Sequence, residues 1–193
     1  WEAGAWIGAM NYFGDLNTEY RFDRVGLAFG TGARYNFNSR ICFMLSANYG
    51  QVAGYDSDSD NSFERARNLH FESSILEATA QLEFNFLPYV HGSKEQFFTP
   101  YLYTGFSVVR FQPEAEFNGE MIQLQPLGTE GQFQGEEYST TAGAFAVGGG
   151  FKMDLSYEWS INVSIGTRLL FTDYLDDVST NYPDYIELQN LRG

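Results

Sequence analysis

The chain has 193 residues, 44% of them hydrophobic and 18% aromatic, with a formal net charge of −14. That acidity argues against a nucleic-acid partner, since phosphate binding needs clustered Lys and Arg. The single cysteine, Cys42, excludes an intrachain disulfide and fits no metal or redox motif, and no apolar run approaches the roughly 18 residues of a membrane helix. A transmembrane β-barrel stays open, because it hides its apolar residues at alternate positions and its averaged hydropathy looks soluble.

The chain begins inside a strand-like pattern with no signal peptide ahead of it, so a mature or trimmed chain is expected. Residues 1–13 form the first candidate strand. Trp6 and Ile7 fall on opposite faces, and Glu2 favours the even positions as interior. A polar loop leads to residues 25–37. There Val25, Leu27, Phe29, Thr31, Ala33, Tyr35 and Phe37 share one face, opposite small and polar residues that include Arg34. After a short Asn38-Ser39-Arg40 turn, a third strand starts at Ile41 and alternates to Tyr49.

Residues 73–86 carry the clearest pattern. Leu76, Ala78, Ala80, Leu82, Phe84 and Phe86 alternate with Glu77, Thr79, Gln81, Glu83 and Asn85. Strict period two over this length, with carboxylates on the polar face, fits a strand of about 9–11 residues crossing a bilayer. A connection at 87–98 and a fifth strand at 100–111 follow, with Leu102, Phe106 and Val108 outward. Residues 112–140 read as the longest irregular stretch. Strands at 143–155 and 159–171 then place Lys152, Asp154 and Arg168 on polar faces, and the chain is polar from there to its end.

Long connections follow strands one, three, five and seven, and 17 of the 25 acidic residues lie in segments 14–22, 52–68, 112–140 and 172–193. Outer-membrane barrels join even strand numbers by long external loops and short periplasmic turns. The expected fold is therefore all-β: a single domain over 1–193, an eight-stranded antiparallel transmembrane barrel. Seven strands lie in this chain. An eighth is expected beyond Gly193, with a strand from another chain as the alternative, because a barrel abolishes edges that lipid does not tolerate.

A barrel this narrow is filled by side chains, so Arg34, Glu77, Glu83, Lys152, Asp154 and Arg168 are expected to form an internal charge network and leave no pore. The competing soluble design is a lipocalin-like barrel with the apolar faces inward. Aromatic residues near strand ends, including Tyr35, Phe37, Phe84, Phe86 and Trp159, favour the membrane design.

Asp56, Asp58 and Asp60 alternate as calcium loops do, but the glycine and terminal glutamate of an EF-hand are missing, so a hydrated acidic loop is the expectation. The same holds for Asp173, Asp176 and Asp177. His70 and Glu72 stand near the outer rim, where a water-activating site would sit, and nothing in the sequence fixes such a geometry. No phosphate loop, zinc spacing or nucleophile elbow occurs, so no catalytic, cofactor or metal residue is assigned.

Several segments in order, NYFGDLN, RYNFN, GYDSDSDN, RNLHF, QLEFNF, TPYL, LQPLGTEGQ and TDYLDDVS, resemble the PorG-like outer-membrane barrels of Bacteroidota. The resemblance implies a non-enzymatic barrel of the type IX secretion and gliding apparatus. Its partners would be a periplasmic ring lipoprotein, that lipoprotein's partner protein and other secretion subunits, in outer-membrane lipid. It implies no cofactor and one further strand. On the expected periplasmic side the longest turn offers Tyr89, His91, Lys94 and Glu95 as partner contacts. A small channel or ligand-binding barrel, or a paralogue serving another envelope complex, is the alternative.

Overall fold

A computed structural model describes residues 1–127 and 138–177. The chain is all-β, a single antiparallel sheet. Its strands are β1 (Glu2–Met10), β2 (Gly26–Asn36), β3 (Ile41–Tyr55), β4 (His70–Asn85), β5 (Phe98–Phe117), β6 (Glu120–Gln123), β7 (Thr141–Asp154) and β8 (Ser160–Leu170). The sheet runs β1-β2-β3-β4-β5-β7-β8, and β6 pairs only with β5. One short helix, α1 (Ser62–Arg67), sits in the β3–β4 connection, capped by Asn61, whose side chain accepts from the Phe63 N–H.

The alternation in the sequence becomes an inside-out facing. Along β4, Ser73, Ile75, Glu77, Thr79, Gln81, Glu83 and Asn85 are buried, while Leu76, Ala78, Ala80, Leu82 and Phe84 are exposed. A lipocalin-like barrel needs the reverse. Period two turns every second side chain to the same face, so once Glu77 points inward the register of the whole strand follows. Side chains also bond across the lumen between strands that do not pair. Lys152 on β7 reaches Glu83 on β4, and Arg168 on β8 reaches Glu77 on β4. These bonds require the sheet to curl round on itself as a barrel wall.

The first strand's facing is settled by Glu2 and Trp6, which both turn inward. Inward glycines provide berths for aromatic rings. A Cβ on Gly30 would collide with the Trp6 indole, and one on Gly166 with the Tyr103 hydroxyl. Gly4 and Gly8, on the same inward face of β1 as Glu2 and Trp6, have open space at the position of a Cβ. Among the described residues no strand pairs with the free edges of β1 and β8, so the wall is open there and the inward positions Ser160, Asn162 and Ser164 are exposed. The expected eighth strand beyond Gly193 lies outside the described residues.

One sequence expectation is corrected. Residues 112–140 are not all irregular: β5 continues to Phe117, turns at Asn118-Gly119 and returns as β6. Asn118 and Gly119 have φ of 54° and 87°, the left-handed backbone that tight two-residue hairpins need and that Asn-Gly tolerates best. The acidic composition of the segment obscured this signal. Glu130, Glu136 and Glu137 lie outside the described residues.

Candidate functional site

The short connections define a turn end of the barrel and the long ones a loop end. The interior between them is built in storeys. Nearest the turn end, β7 delivers Asp154, whose carboxylate accepts from the Tyr89 hydroxyl and from the Gly92 N–H at 2.7 Å, with His91 Nδ1 at 2.9 Å. Burial first, then the bond to Asp154, holds the Tyr89 hydroxyl well above the ordinary tyrosine range, so it stays a donor. Residues 87–97 are thereby tucked beneath the barrel rather than trailing from it.

Above this lies the larger charge cluster. Arg34 donates to Glu83 through Nε at 2.8 Å and Nη2 at 3.2 Å, and to Glu2 through Nη1 at 2.9 Å. Lys152 Nζ stands 2.5 Å from Glu83 Oε2 and 3.1 Å from Asn85 Oδ1, and 4.4 Å from the centre of the Tyr101 ring. Gln81 donates to the other Glu83 oxygen at 3.0 Å. One carboxylate thus serves two cations, and both of its oxygens are bonded.

The next storey centres on Glu77. It accepts from Arg168 Nε at 2.9 Å, Thr79 at 2.8 Å, Ser107 at 2.7 Å and Asn48 Nδ2 at 3.2 Å, and Asn48 in turn accepts from the Trp6 indole N–H at 3.0 Å. Buried charges persist only when paired and hydrogen-bonded, and these are. Arg34, Glu77, Glu83, Lys152, Asp154 and Arg168 each make a bond in these storeys. Their pairing is not legible in the sequence, because partners come from strands up to 91 residues apart. The polar partners Gln81, Asn85, Thr79, Ser107 and Asn48 were legible only as polar-face positions.

At the loop end the interior turns apolar. Tyr12, Leu16, Val52, Phe71, Ile75, Val109, Phe111 and Ala144 form one buried cluster, with Phe71 and Phe111 at 0% exposure. Tyr12 packs edge-on against Phe71, and its hydroxyl donates to Asp176, tying the end of β1 to the chain after β8 across the open edge. Burial, then Asp176, raises the Tyr12 hydroxyl far above its ordinary range. Over this cork lie the loops. Asp56 is fully buried and accepts from Arg67 Nε at 2.6 Å and from the Leu69 N–H at 3.0 Å. Asp58 receives Arg24 Nε at 2.6 Å and Nη2 at 3.0 Å, and that guanidinium also lies 3.9 Å from the Tyr55 ring centre. The bond to Arg24 holds Asp58 below the usual carboxylate range.

Two of the three aspartates that alternate like calcium ligands, Asp56 and Asp58, are therefore bound to arginines, and among the described residues no group of three or more His, Cys, Asp or Glu has metal-holding geometry. His70 stacks on Tyr55, and its Nε2 accepts the Glu116 N–H at 3.2 Å, while Glu72 accepts from the Tyr55 hydroxyl. Asp177 accepts from Tyr138 at 2.5 Å, and Tyr138 stacks on Tyr174. These rim residues brace the loops.

Of the four expected contact residues, Tyr89 is only 3% exposed and His91 half-buried, both turned toward Asp154. Lys94 and Glu95 are exposed at the tip of the same turn. The structure thus divides the turn into a buried anchor and an outward tip.

Along its whole length, from residue 1 to 192, the sequence matches the model of the Domain of unknown function (DUF6089) family. The chain belongs to the DUF6089 family. No curated protein and no solved structure matched it. In this member of DUF6089 the candidate site is an interior of paired charges, sealed by an apolar cork at the loop end and presenting one anchored turn at the other.

Proposed function

We propose that this DUF6089 protein is a non-enzymatic outer-membrane barrel that anchors or organises an envelope assembly, the type IX secretion and gliding machinery. Its turn end would contact a periplasmic ring lipoprotein and that lipoprotein's partner. The observation that carries the membrane part is the inverted facing, with charges bonded inside and an apolar outer wall. Water disfavours such a wall over this area, and a bilayer favours it. Aromatic pairs near the turn end, Trp1–Tyr35, Tyr35–Phe37, Phe84–Phe86 and Phe98–Phe151, at centroid distances of 4.9–5.7 Å, support the same reading. They stand where interfacial girdles stand in such barrels.

The assembly role rests on the sequence resemblance and on the anchored turn. Asp154 fixes the turn, and a rigid tip loses little freedom when a partner docks. Lys94 and Glu95 are the contact residues in this reading, and Tyr89 and His91 hold the turn in shape. The interior bonds favour a scaffold over a channel, because a conducting path would have to break them. The test is native co-purification of the tagged barrel from gently solubilised envelopes, beside a variant with Lys94→Glu and Glu95→Lys. Stoichiometric ring lipoprotein with the parent barrel, and its loss from the variant, is expected. A barrel that purifies alone while known complexes survive overturns the assembly role.

A further inference from the structure

The outer wall carries a depression of about 500 Å³ away from the open edge, spanning β2 to β5. Thr31, Ala47, Ala78 and Ala80 form its floor, and Leu45, Phe106 and Val108 its sides. The register aligns Thr31, Ala47, Ala78 and Val108 in one row across four strands, and Ala33, Leu45, Ala80 and Phe106 in the next. Three alanines side by side between larger neighbours leave the wall concave there. A wall facing fluid lipid has no need of such a hollow, and an unfilled one forfeits dispersion contacts.

The row above, toward the loop end, holds Phe29, Tyr49, Leu76 and Arg110. Arg110 points outward beside this apolar row, two residues along β5 from Val108, about 7 Å away. Every other described Arg, and Lys152, has a carboxylate or carbonyl partner. Among the described residues, Arg110 and the turn-tip Lys94 have none within hydrogen-bond or ion-pair distance. Glu114 stands two rows higher on the same strand and does not reach it. A cation placed alone at the rim of an apolar hollow is complementary to one class of molecule: an amphiphile with an anionic head and a hydrocarbon tail.

We propose that Arg110 and the hollow beneath it form a binding site for a phosphorylated acyl lipid of the leaflet on the loop side. The planar guanidinium donates in parallel to two oxygens of the phosphate, and an acyl chain lies over Ala78, Ala47 and Thr31. This rests on the membrane reading above, and the experiment separates the two.

The refolded protein is tested first for flotation with phosphatidylcholine liposomes, then by native mass spectrometry in micelles with dioleoyl phosphatidic acid or dioleoylglycerol. These probes share their tails and differ by the phosphate. The expected result is flotation, retention of phosphatidic acid over dioleoylglycerol, and about tenfold weaker retention by Arg110→Gln. Ala78→Phe, which fills the hollow from the lipid side, weakens retention of both lipids, and Arg40→Gln, which removes an exposed cation at the turn end, leaves the retention of both as in the parent. A protein that floats yet holds both lipids equally, or keeps its preference in Arg110→Gln, overturns the lipid site alone. Unchanged retention in Ala78→Phe, or a loss in Arg40→Gln matching that in Arg110→Gln, overturns it as well. Failure to float removes the membrane reading and the site with it.

Discussion

The two halves of the interior solve the same packing problem with opposite chemistry. The half toward the turn end is filled by long charged side chains, Arg34, Glu83 and Lys152, over small neighbours. The half toward the loop end is filled by Phe71, Phe111, Leu16 and Tyr12. The charged half is directional: each group needs a particular partner at hydrogen-bond distance, so it fixes which strands face one another across the lumen. The apolar half is non-directional and closes the mouth beneath the loops. The barrel thus takes its specificity from one end and its seal from the other.

Breaking the charged half has the largest expected effect. Glu83→Ala leaves Arg34 and Lys152 buried without their shared carboxylate and costs about 3–5 kcal/mol, read by urea unfolding of the inserted barrel. Replacing all three by apolar residues of similar volume restores most of that loss. If the single change is as mild as the triple, the cluster is not held by pairing. In the apolar half, Leu16→Ala costs about 2–5 kcal/mol through the cavity it leaves. Leu16 shares no partner with Glu83, so the two losses add to within about 0.5 kcal/mol; a larger discrepancy would show that the halves are coupled.

A smaller effect is expected at the turn. Asp154→Asn removes the charge that collects Tyr89, His91 and the Gly92 N–H, and costs about 1–3 kcal/mol. Its signature is local: faster amide exchange at Gly92, with exchange along β4 unchanged. Because the turn is the proposed docking surface, this variant also weakens ring recovery without touching Lys94 or Glu95.

The smallest effect is in the loops above the cork. Asp58 has its folded pKa lowered by Arg24, so its contribution is present above the unfolded value near 4 and is lost as pH falls through the lower folded value. The pair is partly exposed, Arg24 at 44% and Asp58 at 24%, so the contribution is at most about 1 kcal/mol. Amide exchange around residues 21–24 should rise below pH 4 in the parent protein. In Asp58→Asn it should already be raised at pH 7 and show no such step.

Much of the wall was legible in the sequence because a strand's facing is a local property. Glu77, Glu83, Lys152 and Arg168 could be assigned to the interior from alternation alone, and Glu2 oriented the ambiguous first strand. The hairpin at Asn118-Gly119 was equally local and was hidden by its acidic surroundings. The two storeys were not legible, since Arg168 meets Glu77 across 91 residues and Tyr12 meets Asp176 across 164. Nor was the division of the 87–97 turn, where burial against Asp154 makes Tyr89 a support and leaves Lys94 and Glu95 outside.

By itself the sequence determined the class, the strands and the inside-out facing, because period two and turn chemistry act between neighbours in the chain. Only the tertiary structure decided which charges share a carboxylate, where the apolar cork sits and where three alanines meet to hollow the wall. Those follow from strand register and barrel curvature, which bring distant residues together through geometry that no local stretch contains.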